Sequence, residues 1–147
     1  MTESLKSNQS NQLIFLGLLL FLLGLISGLF VHNMTNPRMG LSAHLEGVMN
    51  GMFLIVLGLI WHRLHLSRTF FRITFWLVAF GTFANIAAAI IAAISGAGKM
   101  MPIAGGMEGA PFIEGVISFL LVALSFAMLA TLFLVLWGFF KNMNHTY

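Results

Sequence analysis

Four long apolar runs, set apart by short polar stretches, organise this chain. The first, over 13–31, is almost pure Leu, Phe, Ile and Gly. The others cover about 41–61, 71–94 and 112–140. Each is long enough to cross a bilayer core of about 30 Å at about 1.5 Å per residue of helix. The fourth exceeds a perpendicular span, so it is expected to tilt or protrude. Between the runs stand HNMTNPRMG (32–40), where Asn36-Pro37 and Gly40 read as breakers, a basic turn at 62–72, and the Gly-rich loop SGAGKMMPIAGGMEGAP at 95–111. Residues 1–12 are polar and are expected to fray. The pattern predicts an all-α fold, a four-helix transmembrane bundle forming a single domain over 1–147.

Composition strengthens that picture. Of 147 residues, 59% are apolar and 7% charged, against about 25% charged in a soluble domain. A soluble core of this size has no room for so many apolar side chains, so lipid must cover most of them. The net charge of +3 does not indicate nucleic-acid binding, because the basic residues lie scattered at helix ends and form no continuous footprint. Lys6 before the first apolar run is also the mark of a signal peptide. No small-residue cleavage site follows, and the run is long enough to span, so it reads as an uncleaved first helix. Lys6, Arg63, Arg68, Arg72 and Lys141 fall on one side of the membrane, and only Arg38 and Lys99 on the other. That asymmetry predicts an inner-membrane protein with both termini in the cytoplasm.

The chain contains no cysteine and no aspartate, which removes thiolate chemistry and leaves histidine, glutamate and amides as the reactive inventory. Polar groups inside a membrane are costly and mark candidate function. The second span carries His44, Glu46 and Asn50, the third carries Thr82 and Asn85, and the fourth opens with Glu114. With the orientation above, all lie in the outer half of the bilayer. Asn50 and Asn85 come out roughly 14 Å deep at 1.5 Å per residue. One polar pocket opening outward would account for them.

At about 100° per residue, His44, Gly47, Gly51, Ile55 and Gly58 share one stripe, while Glu46, Asn50, Phe53, Leu57 and Trp61 share another. Glu46 lies about 200° round from His44, so the two do not address one small site. Two readings of the His44 stripe stay open. Gly47-x-x-x-Gly51 is a helix-packing contact beside a hydrogen-bonded histidine. Alternatively, the imidazole ligates the iron of a flat macrocycle that the glycines admit to the backbone. No second histidine stands at i+3 or i+4, so a helical zinc motif is absent. Glu46 and Glu114 are candidate proton-transfer groups or partners of neighbouring helices. Asn85 is a candidate orienting group or an interhelical hydrogen bonder. His32, His62, His65 and His145 read as interfacial or solvated, and the Ala84, Ala88, Ala92 row as packing.

Two segments add a resemblance. Ser42-Ala43-His44-Leu45-Glu46-Gly47-Val48-Met49-Asn50-Gly51 and Gly96-Ala97-Gly98-Lys99-Met100-Met101-Pro102-Ile103-Ala104-Gly105-Gly106 resemble the hydroxylaminobenzene mutase family. These are small bacterial membrane proteins that isomerise arylhydroxylamines to aminophenols. The likeness spans about residues 36–115. More distantly, Ala43-His44, the five residues after it, Asn50-Gly51 and then Ala84-Asn85 are similar to styrene oxide isomerase. In that family the histidine is the axial ligand of haem b, bound between subunits of a homotrimer. The resemblance thus implies that His44 is a metal ligand, that Asn50 acts in the active site, and that the protein is a homotrimer. Gly81 and Ala89 stand where that family has an aspartate and a tyrosine, which favours the mutase activity over epoxide isomerisation.

The expected protein is therefore a membrane isomerase rearranging an arylhydroxylamine to an ortho-aminophenol, with ferric haem as Lewis acid. Substrate and product have the same composition, so no redox partner is required. His44, Gly47 and Gly51 are expected to hold the cofactor, and Asn50, Asn85, Glu46 and Glu114 to serve the chemistry. The rival expectations are an epoxide isomerase and a non-enzymatic haem or quinone anchor subunit. The anchor usually needs a second deep histidine, which is missing. Broken helices or inverted repeats, expected of a transporter, are not evident.

Overall fold

The computed structural model describes residues 2–144. Four helices, α1 (Thr2–Leu29), α2 (Pro37–Ile60), α3 (Arg68–Ser95) and α4 (Pro111–Asn144), are joined by short connections, each containing one 3₁₀ turn. All four are long and apolar enough to cross a membrane. The all-α, four-helix architecture is thus as expected, but several boundaries move. His145 lies outside the described residues.

The N-terminal segment expected to fray is helical from Thr2. Its polar residues are satisfied by the neighbouring helix ends. Ser10 Oγ donates to the Gly58 carbonyl at 2.8 Å, and Trp61 Nε1 donates to Gln9 Oε1 at 3.4 Å. Gln9 and Ser10 are accordingly buried, since paired polar groups carry little burial penalty.

Helix α2 begins at Pro37, four residues before the expected 41. Asn36-Pro37, read as a breaker, is a start signal instead. Asn36 Oδ1 accepts from the amides of Arg38 (3.1 Å) and Met39 (3.3 Å), and proline at the first helical position needs no donor. Ser67 caps α3 in the same way, with Oγ accepting from Phe70 N at 3.4 Å, so α3 begins at Arg68 instead of 71. Gly96, at φ 75°, ends it in the left-handed conformation that glycine adopts without strain.

The α1–α2 pair packs most extensively, and glycine is the reason. A Cβ at Gly47 would collide with Gly24, and one at Gly51 would sit 2.7 Å from Phe21 N. Near the chain's N-terminus and the 61–67 turn, the core is large and aromatic, with Trp61, Phe71, Leu13, Leu54 and Leu64 fully buried. At the opposite end it is built of Ala43, Ala89, Ala92, Ala93 and Ala97 with Met39 and Ile117, so the helices meet closely beneath the Gly-rich loop. The outer faces stay apolar and uncovered, Phe119, Phe126 and Phe133 of α4 among them, as a lipid-facing surface requires.

Candidate active site

His44 sits on the face of α2 that packs against α1. Its Nδ1 lies 2.8 Å from the Gly24 carbonyl oxygen. A carbonyl only accepts, so Nδ1 carries the proton, and in the neutral ring Nε2 keeps the lone pair. Gly28, one turn further along α1, makes room for the ring: a Cβ there would meet His44 Nδ1 at 2.7 Å. The imidazole forms part of the wall of an open groove of about 820 Å³ between α1 and α2. Leu22, Leu25, Ile26, Leu29 and Leu41 make most of that wall, with His32 and Arg38 toward its end. Gly24 and Gly28 are the residues that sequence reasoning missed. Their spacing, Gly24-x-x-x-Gly28, was the available signal.

The close approach that Gly47 and Gly51 permit is taken up by α1. These two glycines set the α1–α2 distance and so the position of the groove floor.

A second polar group lies on the other side of α2. Glu46 Oε2 accepts from Asn50 Nδ2 at 3.3 Å, one helical turn on. The same oxygen also accepts from Asn85 Nδ2 of α3. Glu46, Asn50 and Asn85 are all half-buried. Asn85 is thus tied to α2 by a hydrogen bond across the helix interface. Glu46 and His44 point to opposite flanks, as their separation along the helix requires. The uncovered stripe of Leu41, Leu45, Met49, Met52, Val56 and Leu59 runs between the two flanks.

Glu114 stands apart from both. It is 7% exposed, and its Oε1 accepts from the backbone amides of Gly109 (2.9 Å) and Lys99 (3.4 Å). It pins the Gly-rich loop, which is further closed by Gly98 N to Met107 O (3.0 Å) and Met107 N to Gly96 O (3.1 Å). The single outward pocket anticipated from depth alone is therefore three separate polar places within one chain. Depth along the helix axis was legible, and azimuth between helices was not. Gly81 and Ala89 flank Asn85 by one turn on either side and bring no polar side-chain atom. Gly81 faces Met128 of α4, and Ala89 is buried in the alanine cluster.

A family model described as styrene oxide isomerase matches residues 9–140. The chain is 48% identical over 139 residues to hydroxylaminobenzene mutase HabB of Ectopseudomonas oleovorans, covering 93% of this chain and 85% of that relative. It is 46% identical over 127 residues to hydroxylaminobenzene mutase HabA of the same organism, covering 85% of this chain and 94% of that one. No solved structure gives a significant match. The family match takes in His44, Glu46, Asn50, Asn85 and Glu114 together, so the chain belongs to the styrene oxide isomerase family and is an isomerase.

Proposed function

We propose that the protein converts an arylhydroxylamine such as hydroxylaminobenzene into the ortho-aminophenol, using haem b held on His44. The observation that carries this reading is the state of the His44 ring. Nδ1–H is fixed on the Gly24 carbonyl, as metal-ligating histidines commonly hold their other ring N–H, and this leaves Nε2 of the neutral ring as the nitrogen free to ligate. The groove beside it is apolar, and Gly28 keeps the ring from being displaced. Among the described residues no three His, Cys, Asp or Glu converge on a metal; His44 is the residue that would hold the haem iron. Ferric haem, when bound there, would supply a Lewis acid.

The chain's own residues do the rest. Asn50 and Asn85 orient the N–H and O–H of Ar–NH–OH. The N–O bond breaks, a C–O bond forms at the ortho carbon, that carbon loses a proton and nitrogen gains one. Glu46 uses Oε2 for both asparagines, so its Oε1 is the place for the ring proton. The name shared by the two mutase relatives supports this substrate. Apolar walls exclude the bulk water that would otherwise attack the para carbon. Both termini lie in the cytoplasm on this reading, from the excess of Lys and Arg at that end.

His44 and the Glu46 group face opposite flanks of α2, so the working site takes His44 from one copy and Asn50 and Asn85 from the next. A cyclic oligomer, a trimer on this reading, joins one edge of the α2 stripe to the other edge of its neighbour. Co-expression of His44→Ala and Asn50→Ala chains tests this. Each variant alone is inactive or nearly so. In a random mixture, about a quarter of the interfaces regain both residues, and activity returns in proportion. Mixed oligomers with no recovered activity would contradict a shared site.

A further inference from the structure

We propose that Glu46 sets the substrate class of the site by fixing which way the Asn50 and Asn85 amides face. An ionised carboxylate accepts hydrogen bonds and donates none, whereas an asparagine amide has one donating and one accepting end. Both Nδ2 groups meet the same Glu46 oxygen, so both Oδ1 atoms turn away from it. The two asparagines therefore present acceptors to whatever enters beside them. Among the described residues, Glu46 is the side chain shown bonding these two amides. Gly81 and Ala89 have no polar side-chain atoms, and the Thr82 hydroxyl is buried and already donates to the Val78 carbonyl at 2.8 Å.

A pair of fixed acceptors selects ligands that donate. An arylhydroxylamine brings an N–H and an O–H, one for each carbonyl. An aryl epoxide brings only acceptor lone pairs and would leave both Oδ1 atoms desolvated and unpaired, a loss that polar sites turn into strong rejection. Glu46 is a positioning residue in this respect, acting through the two asparagines. The inference rests on the arylhydroxylamine reading above and says why that class is chosen over the epoxide.

The test uses the full-length, haem-loaded protein. It compares KM and kcat for hydroxylaminobenzene with the inhibition constants of styrene oxide and of N-methyl-N-phenylhydroxylamine, which lacks the N–H. The unaltered protein should bind hydroxylaminobenzene at least about tenfold more tightly than either. In Glu46→Gln, the new amide offers its own N–H donors and frees the asparagines to turn, so the preference should fall by about tenfold or more. Glu46→Asp keeps the acceptor-only charge and should retain part of the preference. A merely structural role would weaken all three ligands together and leave their ratio unchanged. Equal binding of the three by the unaltered protein overturns the inference, whether or not a variant folds. If that protein still turns over hydroxylaminobenzene, the reaction stands without it. A protein that prefers the donor but converts no arylhydroxylamine overturns the reaction and keeps the inference.

Discussion

Replacing His44 with alanine is expected to remove the haem Soret band and the isomerase activity together. The imidazole is the nitrogen held beside the Gly24 carbonyl, and its replacement leaves mostly apolar wall there, with His32 and Arg38 only toward the groove's end. The vacated space lies beside Gly28, whose missing Cβ already leaves room for a ring. Added free imidazole should enter that space, donate to the same carbonyl and restore part of both signals. Absorbance spectra of the detergent-solubilised variant, with and without imidazole, are the measurement. If His44 only packs the helices, the variant instead loses thermal stability and keeps whatever haem it carries. Full haem occupancy and turnover in His44→Ala would move the ligand role to His32, which lines the same groove.

Asn50→Ala is expected to leave the haem spectrum unchanged and to lower kcat/KM about 100-fold. The size follows from losing one positioned polar contact in a site that excludes water. The spectrum is spared because Asn50 and His44 lie on different flanks of α2. The fold is spared because alanine suits a helix interior and Glu46 keeps its bond to Asn85. Steady-state rates at matched haem content decide the matter. A loss of haem in parallel with activity would place Asn50 in cofactor binding.

How far the sequence alone leads differs from residue to residue. The four spans are plain from length and hydropathy, because lipid leaves no other way to satisfy their backbones. Helix ends were less legible. Asn36-Pro37 is composed like a turn and works as a cap, and only the positions of the Arg38 and Met39 amides decide between the two. Gln9 and Ser10 looked like a frayed tail because their partners, Trp61 and Gly58, are some fifty residues away.

The candidate site divides in the same way. His44, Asn50 and Asn85 stand out as polar groups in apolar helices. The angle between Glu46 and His44 also follows from helix geometry. The bond from Asn85 to Glu46 depends on how α3 is rotated against α2, which no single-helix pattern contains. Gly24 and Gly28 resemble the other glycines of a Leu-rich run until His44 is seen against them. From sequence, Glu114 is a candidate acid or base. Its two bonds to loop amides show what else a carboxylate at the start of a helix can hold.

In the proposed reaction, oxygen moves within one substrate molecule to the ortho carbon. Its most direct test is turnover of hydroxylaminobenzene by the purified protein in ¹⁸O-labelled water, followed by mass analysis of the aminophenol. The expected product is 2-aminophenol free of the label, formed without added reductant or oxygen. Labelled product, or 4-aminophenol as the main product, would contradict it.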